Sequence, residues 1–146
     1  MDGLAHQRVD VEGLAAACRS ILERWRDRGI IAGFLYGSIL GSRHRSDSDV
    51  DIALLDRADR RLGWADQSRL MDELERAIGM TVDLRMLRDT PLSHQVHVLR
   101  KGRPVWIADN GGTTAYVRSI ESQYDAQHGS ALQASPPTSS DGGETG

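Results

Sequence analysis

The sequence predicts an α/β (α+β) domain in which a small sheet is flanked by helices, and two observations carry the prediction. Segments whose apolar residues recur at three- and four-residue spacing alternate with short runs rich in Val, Ile and Leu, with Gly at the junctions. Two of those runs, Phe34-Leu35-Tyr36 and Ile52-Ala53-Leu54-Leu55, bracket a polar stretch that opens with Gly37-Ser38 and closes on Asp47, Asp49 and Asp51.

Each element follows from its pattern. Val11, Leu14, Ala15, Cys18, Ile21, Leu22 and Trp25 fall on one helical face, with Asp10 placed to cap and Gly29 to stop the segment. Residues 30–36 read as the first strand, a short helix or turn begins at Ser38, and a polar loop leads to a second strand over 50–55. Leu70, Leu74, Ala77 and Ile78 mark a second helix closed by Gly79, ahead of a strand in Thr81-Val82-Asp83-Leu84-Arg85-Met86-Leu87. Ser93 is placed to cap a helix running to Arg100 and ended by Gly102. Pro104, lacking a donor, confines Val105-Trp106-Ile107 to a sheet edge. A last helix carries Val117, Ile120 and Tyr124. The folded domain is expected over 1–128. Residues 129–146, rich in Ser, Pro and Gly, read as a disordered tail, because ordering them costs entropy without core burial in return.

Bulk properties narrow the function. A chain of 146 residues reads as one domain, too small for a catalytic domain plus a full substrate-binding domain. Its 18 basic and 21 acidic side chains leave a net charge of −3 with no basic stripe, which argues against long nucleic acid as a partner. No leader and no apolar run of membrane-spanning length appear, so the expected location is the cytoplasm with no membrane partner. Cys18, the lone cysteine, excludes an internal disulfide and a cysteine-rich zinc site.

The chemistry sits in the bracketed stretch. A Gly-Ser pair directly after a strand lets backbone N–H groups at a helix N-terminus approach an anion closely. Asp49 and Asp51, separated by one residue at the start of a strand, share a face and can share a hard divalent cation. The calcium-loop alternative fails, since Ile52 stands where that loop needs Gly and Ala58 where it needs Glu. A Walker-type loop fails as well, because Gly41 is followed by Ser42-Arg43 rather than Lys-Ser.

The spacing from Gly37-Ser38 to Ser48-Asp49-Val50-Asp51-Ile52 resembles the signature of the nucleotidyltransferase superfamily related to DNA polymerase beta, and Asp83 sits where that superfamily carries a third acid on a later strand. The length and element order look like its minimal, single-domain branch (MNT), many of whose members are antitoxins paired with helical HEPN ribonuclease toxins. The resemblance implies a polymerase beta-like fold with a small mixed sheet flanked by helices. It also implies two Mg²⁺ ions held by Asp49, Asp51 and Asp83, with the phosphates of a nucleoside triphosphate, most simply ATP, on Gly37 and Ser38. AMP would then pass to a hydroxyl of a HEPN-type toxin. Relatives often carry a basic residue in the helix after Gly-Ser; Ile39 and Leu40 stand there, and Arg43 is the nearest replacement for gripping phosphate. Two rivals stay open: an antitoxin that only occludes its partner, and an aminoglycoside-type small-molecule transferase.

Other residues read as structural. His94 and His97, one helical turn apart, suggest a partly exposed helix face, and Trp25, Trp64 and Trp106 suggest packing. Arg85 is placed on the strand face of Asp83, where it can neutralise it.

Overall fold

The computed structural model describes residues 10–41 and 49–129. Its elements are helix α1 (Val11–Glu23), strand β1 (Ile30–Tyr36), strand β2 (Val50–Asp56), helix α2 (Trp64–Ile78), strand β3 (Val82–Met86), helix α3 (Leu92–Lys101), strand β4 (Arg103–Ile107) and helix α4 (Asn110–Tyr124). Short tight turns cover Arg26–Arg28, Gly37–Leu40 and Leu87–Asp89, and α4 runs into a widened turn over Asp125–Gly129. Apart from Gly129, the expected tail lies outside the described residues.

The sheet is mixed, in the order β3-β2-β1-β4. β1 runs antiparallel to both β2 and β4, whereas β2 and β3 are parallel and are joined by the crossover through α2. Pro104 does lie in an edge strand, paired opposite Phe34 at a register shift.

Each face of the sheet is covered by two helices, which is why β1 and β2 read as continuous apolar runs rather than clean alternations. On one face Val50, Ile52 and Leu54 of β2 join Leu14, Cys18, Ile21 and Leu22 of α1 and Leu70 and Leu74 of α2. Each fully buried side chain of this size contributes about 1.5–3 kcal/mol of transfer free energy. Gly33 lets α1 close on the sheet: a Cβ there would stand 2.5 Å from Leu22 Cδ1. On the other face Phe34, Tyr36, Ala53 and Leu55 pack beneath Val96 and Val98 of α3 and Tyr116 and Ile120 of α4. The register shift between Ile30 and Ala32 puts the buried Ile31 and Ala32 together in this second layer.

Local stop signals behave as their chemistry requires. Gly79 closes α2 at φ +80°, its N–H on Glu75 O at 2.8 Å, whereas Gly29, expected to stop the first helix, ends only the turn that follows it at φ +97°: α1 itself stops at Glu23, short of Trp25. α3 begins at Leu92 rather than after Ser93. The carbonyl of Pro91 receives the N–H groups of His94 and Gln95, both at 3.0 Å, and the fixed φ of proline suits a helix start.

Candidate active site

β1 delivers its last residue, Tyr36, next to Asp51 of β2 in the antiparallel register. Gly37 follows at φ +78°, a left-handed conformation that side chains resist. A Cβ at Gly37 would also collide with Asp51 Oδ2. Glycine is thus required twice, for the turn and for the approach of the chain to the carboxylate. Ile39, 2% exposed, pins the turn into the core while Gly41 N–H closes it on Ser38 O at 2.9 Å.

The acids come from two strands. Asp51 and Asp83 are direct partners in the parallel β2–β3 register, so strands 32 positions apart in sequence present both carboxylates on one face. Asp49, exposed and just ahead of β2, accepts a hydrogen bond on Oδ1 from Thr81 Oγ1 at 2.5 Å. The Val50 N–H is bonded to Thr81 O at 2.9 Å. Arg85 Nη2 lies 3.5 Å from Asp83 Oδ2, the expected neutralising position.

Among the described residues no three His, Cys, Asp or Glu side chains gather closely enough to cage a metal by themselves. Mg²⁺ ordinarily takes one or two protein carboxylates and completes its octahedron with substrate phosphates and water. Hard oxygen donors on Asp51 and Asp83, beside a turn whose missing Cβ keeps Asp51 uncrowded, fit that mode.

Two further side chains complete the face. Tyr36 is 6% exposed, and burial, followed by the charges of Asp51 and Asp83, pushes its phenol up to about 12. His94 of α3 meets the Tyr36 ring edge-on, centroids 5.3 Å apart at 78°, and its Nε2 is buried without a hydrogen-bond partner. Desolvation, then the charges of Arg85 and His97, hold the imidazole below its usual pKa, with Asp51 and Asp83 opposing.

The structure corrects several sequence readings. The short helix or turn expected at Ser38 is a single four-residue tight turn over Gly37–Leu40, so any phosphate grip there comes from the turn's own groups without an extended helix dipole. Arg43 lies outside the described residues. His94 belongs to the site face, while His97 is exposed. Trp25 and Trp106 pack, donating through Nε1 to Glu73 at 2.9 Å and Glu23 at 2.8 Å, but Trp64 is 80% exposed at the start of α2. Thr81 and His94 were hidden from sequence reasoning because their partners lie on other elements.

A glycine turn set against a pair of carboxylates across one small mixed sheet marks the class of nucleotidyltransferases. The model of the Polymerase beta, Nucleotidyltransferase family matches residues 18–110, and the chain belongs to that family. Solved structures agree with this fold. The chain is similar to one in a toxin–antitoxin complex with AMP-PNP, at 26% identity and TM-score 0.57 over 80% of this chain and 95% of that one. It is similar to a chain in the complex of a tri-AMPylated Shewanella oneidensis HEPN toxin with an MNT antitoxin, at 23% identity and TM-score 0.57 over 82% and 96%. A minimal nucleotidyltransferase matches at 29% identity and TM-score 0.55 over 65% and 95%. No curated protein matches the chain significantly.

Proposed function

We propose that this protein is a Mg²⁺-dependent nucleotidyltransferase that moves AMP from ATP to a hydroxyl of a partner protein, and that the partner is a HEPN-type toxin which it neutralises in the cytoplasm. The observation that carries the reading is the register pairing of Asp51 with Asp83 beside Gly37, whose lack of a side chain leaves Asp51 accessible to a bound ligand. Family membership supports the reaction class. Likeness to a complex holding AMP-PNP supports the adenine nucleotide, and likeness to toxin–antitoxin complexes supports the partner. Among the described residues no helix is long and apolar enough to cross a membrane.

In this reading Asp49, Asp51 and Asp83 are the metal-binding and catalytic acids, and Gly37 and Ser38 hold the triphosphate through backbone N–H groups and the Ser38 hydroxyl, with Arg43 adding charge. Bound Mg²⁺ neutralises phosphate charge and stabilises both the attacking and the leaving oxygen. The carboxylate of Asp83 takes the proton of the acceptor hydroxyl. The acceptor oxygen then attacks the α-phosphorus, a new P–O ester bond forms, the bond to the bridging oxygen breaks, and pyrophosphate leaves. Arg85 Nη2, 3.5 Å from Asp83 Oδ2, pairs with that carboxylate before substrate arrives.

The test is transfer of label from α-labelled ATP to a purified HEPN partner, with Mg²⁺, by the wild type and by Asp51→Asn. The wild type labels the partner and suppresses its ribonuclease activity; Asp51→Asn binds the partner without labelling it. Equal protection by both variants would establish occlusion instead, and labelling of an aminoglycoside rather than a protein would make the drug-modifying rival correct.

A further inference from the structure

We infer that Thr81 is a positioning residue for the metal end of this site, its hydroxyl fixing the orientation of the Asp49 carboxylate for a Mg²⁺–nucleotide complex. The inference rests on the nucleotidyltransferase reading above. Thr81 is exposed and lies between α2 and β3, so core packing does not account for it. Thr81 makes one bond to Asp49 and one to its neighbour: Oγ1 donates to Asp49 Oδ1 at 2.5 Å, and its carbonyl receives the N–H of Val50 at 2.9 Å.

The chemistry of those bonds suits a ligand holder. Asp49 precedes β2 rather than lying within it, so the strand ladder restrains its backbone only from Val50 onward. An exposed aspartate in that place samples several rotamers, and selecting one on binding costs conformational entropy. A hydrogen bond to an ionised acceptor is stronger than a neutral one and narrows that choice in advance. A carboxylate has about four acceptor positions, and Thr81 uses one of them, on Oδ1. Among the described residues no other bond is made to the carboxylate, which leaves Oδ2 and the remaining lone pair of Oδ1 for a cation. Because Thr81 reaches the site through the end of the α2 crossover, it couples Asp49 to the same element that delivers Asp83 to Asp51.

Calorimetric titration of Mg²⁺ into the full chain saturated with AMP-PNP tests this, using wild type, Thr81→Val and Thr81→Ser, with a metal-free melting curve for each. Valine keeps the shape and removes the donor; serine keeps the donor. Loss of a group that orients a metal ligand costs about 10–100-fold in metal affinity, and the exposure of this pair puts Thr81→Val near tenfold. The expected result is that loss with an unchanged metal-free melting temperature, and Mg²⁺ affinity restored by Thr81→Ser. Wild-type affinity in Thr81→Val, equal weakening by both substitutions, or a matching fall in metal-free stability would overturn the inference. Failure of the wild type itself to take up Mg²⁺ with AMP-PNP would instead overturn the nucleotidyltransferase reading on which it rests.

Discussion

Strand β2 carries an aspartate near each end, and the two could hardly be treated more differently. Asp56, at the far end, is fully buried, its Oδ2 accepting from Arg61 Nε at 3.0 Å and from the Leu62 N–H at 2.9 Å. Arg88 adds an ion pair at 3.6 Å to Oδ1 and a 2.7 Å bond to the Asp56 carbonyl, while the other arm of Arg61 reaches Asp89 at 2.7 Å. Asp51, five positions earlier, is half-buried beside a glycine turn and another carboxylate. A buried charge wrapped in cations and a backbone donor is spent on holding the strand end and the following loop together. Asp51 and Asp83, on one face at a half-buried edge, present hard oxygen donors suited to a divalent cation. The residue type is the same, and its surroundings assign the task.

Exchanging the two losses gives the largest effects. Asp56→Ala strands the Leu62 N–H and two guanidinium partners; removing one member of a buried pair costs about 3–5 kcal/mol, and here the lower end applies because Arg61 is 40% exposed and keeps Asp89. Urea unfolding should show that loss, while transfer per folded molecule stays near wild type. Asp51→Asn should do the reverse, abolishing transfer and leaving the unfolding midpoint in place or raised, since one of two facing like charges is gone. Should both variants lose stability equally, the division of labour between the strand ends is wrong.

A smaller effect sharpens the site end alone. Gly37→Ala forces a side chain into φ +78° and against Asp51, for about 1–2 kcal/mol of strain. Thermal melts should register the strain, and Mg²⁺-ATP should no longer raise the melting temperature of the variant.

The smallest effect concerns protons. Burial holds His94 below its ordinary value of 6.5, so below that pH the unfolded chain takes up a proton that the folded chain refuses. The stability contributed by the neutral imidazole is present above pH 6.5 and declines as the pH falls through its depressed folded pKa. His94→Gln should therefore flatten the acid-side decline in a series of melts; an unchanged slope would show that His94 does not titrate in this way.

The contrast also explains what could be read from the chain. Gly37, Ser38, Asp49 and Asp51 lie close together in sequence, where spacing and alternation speak directly, and the element order followed from periodicity and the stop signal at Gly79. Asp83 was found as an acid in a strand, but its register with Asp51 depends on a parallel pairing that local pattern does not encode. Periodicity says which residues of an element share a face, not what stands opposite. The Thr81–Asp49 bond, the meeting of His94 with Tyr36, and the burial of Asp56 among arginines from two separate turns all lie in that second category. The expected packing of Trp64 failed for a related reason: Leu70 and Leu74 are the buried anchors of α2, and Trp64, at its start, is left exposed.

That projecting indole has an optical consequence. Trp25 and Trp106 are shielded, each tied to a glutamate, whereas Trp64 stands in water at the end of α2 remote from its glycine stop. An aqueous collisional quencher therefore reaches one emitter and spares two. The quenchable fraction of the intrinsic fluorescence reports on the surroundings of Trp64 alone, and a macromolecule settling over that end of the protein would announce itself without any dye being attached.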